Sequence, residues 1–267
     1  MSEAGEFAPA TDELLYEQRG ALAVLTFNRP QARNAMTWAM YDGLYAVCEH
    51  VDRDDRVRVL VLRGAGDKAF VAGTDISQFQ TFATPQDALE YERNGNRYTE
   101  RLEAVQKPTI AMLRGYCVGG GAGIAMASDL RIAASDVRFG VPIARTLGNT
   151  LSMGALARIV ALIGPARAKD ILFTARLVEA EEGKAAGLFT EVVEPGRLEA
   201  RAFEVAEQIA ANAPLTIRSL KESIRRLLAH GRIEEAEDLI LMCYLSEDFK
   251  EGVAAFLEKR RPQWQGR

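Results

Sequence analysis

Val118-Gly119-Gly120-Gly121-Ala122-Gly123 opens directly into the helix-like run Ile124-Ala125-Met126-Ala127-Ser128-Asp129. Each glycine in this stretch weakens a helix start by up to about 1 kcal/mol against alanine. Two requirements offset such a cost. Glycine allows another group to approach the backbone closely, and a helix N-terminus offers free N–H donors with partial positive charge. Together they make a place for an anion or a developing oxyanion. Close helix–strand packing that merely needs small residues is the other reading of the segment. Nucleotide phosphates fit it poorly. Ile124 stands sixth from Gly119, where a dinucleotide fingerprint needs glycine, and the Gly-Lys-Ser/Thr of a P-loop is absent.

Working outward, strands alternate with helices, which argues for an α/β arrangement. Ala21 to Phe27 is apolar and ends at Asn28-Arg29-Pro30. Thr37 caps a helix to about Val51, with Trp38, Tyr41, Leu44, Tyr45 and Cys48 on one face. Val57 to Leu62 is a buried strand, and Pro85 to Val105 a long helix. Lys107-Pro108 precedes the strand Thr109 to Leu113, and Leu130 to Ala133 follows the glycine-rich turn. From near Gly148 helical patterns dominate, at about 151–162, 166–173, 179–186, 197–211, 215–229, 232–245 and 247–259. Phe189 to Val193 is the strand signal in that part, and no internal repeat is visible. The reading is a flexible lead over 1–14, an α/β core over 15–196 with a helical cover from about 148, and a helical oligomerisation region over 197–267.

A chain of 267 residues buries a sizeable core. Its net charge of −4 gives nucleic acid no electrostatic footing. Apolar runs are too short for a membrane span, and Met1 to Glu13 lacks the basic start and apolar stretch of a signal peptide. Cys48, Cys117 and Cys243 are odd in number and far apart, which fits reduced thiols in the cytoplasm. His50 and His230 read as helix C-terminal residues with structural or surface roles, so neither a His-rich metal site nor a serine peptidase triad is expected.

Ala69-Phe70-Val71-Ala72-Gly73-Thr74-Asp75-Ile76 is the second informative piece. A short strand ends in glycine, so the next amide can leave the ladder and face a pocket. Two such turns could place two N–H groups on one oxygen. Here the sequence resembles the enoyl-CoA hydratase/isomerase (crotonase) superfamily, over about residues 15 to 267. The resemblance rests on Asn28-Arg29-Pro30 with Asn34-Ala35, the Ala72-Gly73-x-Asp75 turn, Lys107-Pro108, Gly115-Tyr116 and Gly119-Gly120-Gly121. Ser128-Asp129, Phe139-Gly140-x-Pro142, Thr174-Ala175-Arg176 and the ending from Glu251 to Arg260 complete it.

The resemblance implies a crotonase-like ββα spiral core with a C-terminal helical region, assembled as a homotrimer or a dimer of trimers. It implies an acyl-CoA substrate, no separate cofactor and no metal. The backbone amides of Thr74 and Gly120 become the oxyanion hole that stabilises a thioester enolate. The backbone of Ala72 matches the position that meets adenine. Arg33 is a candidate for the CoA phosphates or a solvated arginine, and Phe256 and Lys259 match positions that reach a neighbour's CoA or simply belong to an amphipathic helix.

The pattern breaks at the acid–base residues. Hydratases of the family commonly use two glutamates, and Gly123 and Ile143 occupy those places. Neither side chain transfers a proton. The expectation is therefore an acyl-CoA lyase or isomerase with different proton chemistry. Arg145 is the candidate for a substrate carboxylate and Asn149 for orienting a water; capping and surface contacts are their structural reading. Asp75 and Asp129 read as backbone-bonding residues of tight turns. The alternative function is a non-catalytic CoA-binding or scaffold member of the family.

Overall fold

The computed structural model describes residues 7–81, 83–212, 214–229, 241, 245–260 and 262–263. Phe82, His230, Cys243 and most of the helix expected over 232–245 lie outside the described residues. In chain order the strands are β1 (Leu14–Arg19), β2 (Leu22–Phe27), β3 (Val59–Gly64), β4 (Ala69–Val71), β5 (Thr109–Leu113), β6 (Tyr116–Val118), β7 (Leu130–Ala134), β8 (Arg138–Gly140), β9 (Val178–Glu179) and β10 (Glu191–Val193). The helices that concern the site are α1 (Trp38–Arg53), α2 (Pro85–Glu103), α3 (Gly120–Ala127), α4 (Ile143–Thr146) and α5 (Met153–Thr174). After them come α6 (Ala180–Ala185), α7 (Leu198–Ala210), α8 (Pro214–Ala229) and α9 (Glu247–Leu257).

A six-stranded sheet runs β1-β2-β3-β5-β7-β10, and a four-stranded sheet runs β4-β6-β8-β9. From β3 onward the chain repeats one move: a strand in the large sheet, a strand in the small sheet, then a helix. β3-β4-α2, β5-β6-α3 and β7-β8-α4 are three such turns of a ββα spiral, and all pairings between successive turns are parallel. The sequence shows no repeat because the repetition is of path and not of residues; each turn packs against different neighbours.

The large sheet is covered on both faces, which is why its strands read as continuous apolar runs and not as alternations. Leu60 and Leu62 of β3 enter the main core with Ala111 and Leu113 of β5. The residues between them, Val59, Val61, Ile110 and Met112, pack on the other face against Leu198, Ala202 and Ala206 of α7. Thr37 accepts the N–H of Met40 and caps α1, a contact typical of helix starts and worth about 1 kcal/mol.

The helices read over 151–162 and 166–173 are the two halves of α5, separated where Gly164 leaves helical geometry (φ 76°) before Pro165. The short β9 was not legible, since two residues carry no periodicity. Phe7 stacks on His50 with ring centroids 4.1 Å apart, at the last turn of α1. Cys48 and Cys117 are buried free thiols. No helix among the described residues is long and apolar enough to cross a membrane.

Candidate active site

Two backbone turns meet at the C-terminal ends of β4 and β6. Gly73 (φ 106°) follows β4, and Gly119 (φ 55°) links β6 to α3; both conformations suit glycine and strain other residues. A Cβ added to Gly119 would lie 3.4 Å from the Cα of Gly73, so the turns touch backbone to backbone. Beyond Gly73 the chain bridges Met36. Met36 donates its N–H to the Gly73 carbonyl (2.8 Å) and accepts from the N–H of Asp75 (2.9 Å). The bridge thus uses the peptide edges of Gly73 and Asp75, and the N–H of Thr74 points to the opposite side. There it meets the start of α3: a Cβ on Gly120 would sit 3.5 Å from Thr74 N. The first N–H groups of α3, Gly120 among them, have no acceptor within the helix.

The glycines of the run do different jobs. A Cβ at Gly120 would strike the Tyr41 hydroxyl at 2.4 Å, and one at Gly121 the Val71 carbonyl at 2.1 Å. At Gly123 it would meet only Thr99 Cγ2, at 3.8 Å. So Gly121 serves close packing, Gly120 keeps room at the turn, and Gly123 faces open space.

A knot behind the turn holds it. Asn34 is fully buried; it donates to the carbonyls of Ala65 (3.0 Å) and Ala69 (2.9 Å) and accepts from Arg29 N (2.9 Å). Arg29 pairs with Asp75 (3.1 Å) and Glu13 (3.0 Å). Asp75 also accepts from Ser77 N and Oγ, so although burial works the other way its carboxyl lies below the usual range. Asp129 likewise accepts from Thr109 N (2.7 Å) and Lys221 (2.6 Å), away from the cavity.

The turns open into a cavity of about 550 Å³. Thr74 Oγ1 shares hydrogen bonds with the hydroxyls of Tyr41 (2.9 Å) and Tyr91 (3.3 Å). Burial pushes the Tyr41 phenol up to about 12, against its bond to Thr74 and aided by the charge of Glu92. Tyr91 is raised as well, by burial and then by the nearby Tyr41 and Glu92. Both phenols therefore keep their protons at neutral pH.

The inner wall comes from α2 and α5. Tyr91, Glu92, Gly95, Asn96 and Thr99 follow helical spacing and all line the cavity. Opposite them, Ser152 bonds Asn96 (2.6 Å), and the buried Arg158 bonds Thr99 (3.2 Å) and pairs with Glu103 (2.9 Å). The sequence reads Pro85 to Val105 only as a long helix. The missed signal was the polar stripe at i, i+4 and i+7 on an otherwise solvated helix.

Of the residues expected from sequence, Arg33, Ala72, Thr74, Gly120, Gly123, Ile143, Asn149 and Phe256 line this one cavity. The Arg33 guanidinium lies over the Tyr116 ring, 5.2 Å from its centroid. Arg145 and Lys259 do not line it, and both are exposed. In the short α4, Ile143, Thr146 and Leu147 turn to the cavity, which leaves Arg145 on the other side. Lys259 lies just past α9 in a left-handed conformation (φ 55°). No group of three His, Cys, Asp or Glu residues among the described residues could hold a metal ion.

Comparison with known proteins identifies the fold and the family. A family model described as enoyl-CoA hydratase/isomerase matches residues 17–267. A short-chain-enoyl-CoA hydratase of Clostridium acetobutylicum is 36% identical over 253 residues, covering 94% of this chain and 96% of that protein. An enoyl-CoA hydratase/carnithine racemase of Magnetospirillum magneticum is 36% identical, with TM-score 0.77 and 97% of each chain covered. A methylmalonyl-CoA decarboxylase complexed with 2S-carboxypropyl-CoA is 30% identical, with TM-score 0.87 over 97% of this chain and 100% of that one. The chain belongs to the enoyl-CoA hydratase/isomerase family.

Proposed function

With membership of that family as premise, we propose that the protein is an acyl-CoA lyase or isomerase that works through a thioester enolate. The thioester oxygen binds between the N–H groups of Thr74 and Gly120. The observation that carries this reading is the meeting of two amide-presenting turns, one of them at a helix N-terminus, at the edge of one cavity. Fixed donors at the site of developing negative charge need no reorganisation as the charge forms, and one such donor is typically worth about 2.7–4 kcal/mol. CoA runs past Ala72 and Arg33 to the mouth, where Phe256 and Tyr116 lie partly exposed. An exposed apolar stripe on α8, Leu220, Ile224 and Leu228, supports burial against another chain, and the family resemblance implies a homotrimer or a dimer of trimers.

A two-glutamate hydratase is the less supported chemistry, because Gly123 and Ile143 bring no carboxylate to the cavity they line. The enolate itself is tested with butyryl-CoA in D₂O, following deuterium at the α-carbon by mass spectrometry. The expected result is protein-dependent exchange, with crotonyl-CoA absorbance as a second readout for hydration. Saturable thioester binding without exchange or turnover would favour the non-catalytic CoA-binding alternative.

A further inference from the structure

An enolate that forms by loss of an α-proton needs a base, and among the described residues the cavity offers few groups that could act as one. Arg33 and Arg158 are guanidinium groups with no acceptor. Tyr41 and Tyr91 hold their protons and are already bonded to Thr74. Tyr116 lies at the mouth beneath Arg33. Asn96, Thr99, Asn149, Thr150 and Ser152 do not titrate near neutrality. Among the described residues two carboxylates line the cavity, Asp75 and Glu92. Asp75 is committed to Arg29 and Ser77 in the knot behind the turn, where its work is to hold the backbone.

We propose that Glu92 moves the α-proton in this cavity, an assignment that rests on the enolate reading above. Glu92 is 9% exposed, in the middle of the long α2, on the face that lines the cavity. Its neighbour in the chain, Tyr91, reaches Thr74 Oγ1 at 3.3 Å, so this helical turn touches the turn that would hold the thioester oxygen. The α-carbon is one bond from the carbonyl carbon, and a substrate seated on Thr74 and Gly120 presents it to this wall. Gly123 leaves that side open: a Cβ there would meet only Thr99 of the same helix. The carboxylate that α3 does not supply is thus supplied from α2.

In the step, a Glu92 carboxylate oxygen takes the α-proton. The C–H electron pair becomes the new carbon–carbon π bond, and the carbonyl π electrons move to the oxygen between the two amides. Glu92 is left as the neutral acid, and return of its proton to carbon reverses the step. No oxidant, metal or co-reactant is needed.

The test compares the full-length protein with Glu92→Gln and Glu92→Asp, reading deuterium exchange into butyryl-CoA, its dissociation constant and the melting temperature. Glu92→Gln should lower exchange at least about 100-fold, the lower bound usual for a positioned acid–base group, with butyryl-CoA binding unchanged within about threefold. Glu92→Asp should recover part of the exchange. Exchange by Glu92→Gln at the wild-type rate overturns the assignment and leaves the enolate reading standing. Parallel loss of exchange, binding and melting temperature in both variants assigns Glu92 a structural role and also overturns it. Absence of exchange in the wild type removes the enolate reading and this inference with it.

Discussion

The two walls of the cavity are built from different materials. The wall at Thr74 and Gly120 is backbone, presented by Gly73 and Gly119 in conformations that glycine favours and braced by the Asn34–Arg29 knot. The wall formed by α2 and α5 is side chain: Tyr91, Glu92, Asn96 and Thr99 facing Ser152 and Arg158. A backbone wall is indifferent to most side chains but intolerant of lost glycine. A side-chain wall keeps its shape while its chemistry is exchanged. Under the proposed function, the scaffold keeps two backbone donors fixed while the proton-transfer group comes from a different helix.

If that contrast is right, the largest effect belongs to the backbone wall. Gly120→Val should lower turnover of an acyl-CoA substrate about 100- to 1,000-fold, the loss expected for one misplaced oxyanion donor, because its Cβ collides with the Tyr41 hydroxyl. Steady-state kinetics would show it, and near-normal kcat would break the comparison. Next in size is a pair of neighbouring substitutions. Gly121→Ala should destabilise the fold by about 2 kcal/mol through overpacking against the Val71 carbonyl, whereas Gly123→Ala should be tolerated within about 1 kcal/mol. Urea denaturation midpoints separate the two.

Asn34→Ala tests the knot. Three hydrogen bonds, one buried and two part-buried, vanish and two carbonyls lose this donor, so unfolding free energy should fall by about 2 kcal/mol and turnover should drop with it. The smallest effect is on Tyr41. Its folded pKa is raised, so the stability it contributes is complete below the unfolded value of 10.0 and is lost as pH rises toward about 12. Tyr41→Phe should therefore flatten the alkaline unfolding limb between those values while costing about 1 kcal/mol at neutral pH for the hydrogen bond to Thr74. Circular dichroism against pH reads both.

Much of the fold was legible because its signals are local. Thr37 caps α1 as its sequence position suggests, β5 spans the Thr109 to Leu113 segment read as a strand, and the runs of β3 and β7 declare sheets buried on both faces. The glycines that shape the turns were equally visible, since a left-handed φ or a close backbone approach leaves its mark on residue type. The second wall was not visible. Glu92 sits on a helix of low hydropathy and reads as one more solvated carboxylate until α5 is placed across from it. Arg145 misled in the opposite sense: it lies two residues beyond the Ile143 that faces the cavity, and the single turn of α4 carries it to the outside.

The sequence by itself determined the strand–helix alternation, the two glycine-dependent turns and the absence of carboxylates at Gly123 and Ile143. Those are properties of short segments, set by backbone freedom, β-branching and side-chain chemistry. Only the tertiary structure decided that the turns after β4 and β6 abut, that Asn34 ties carbonyls 31 and 35 residues away, and that a glutamate of α2 lines the cavity. Which residues share a cavity depends on the winding of three ββα turns around a common core. The phase of each helix against its neighbour is fixed by packing over long sequence separations, which no local pattern records.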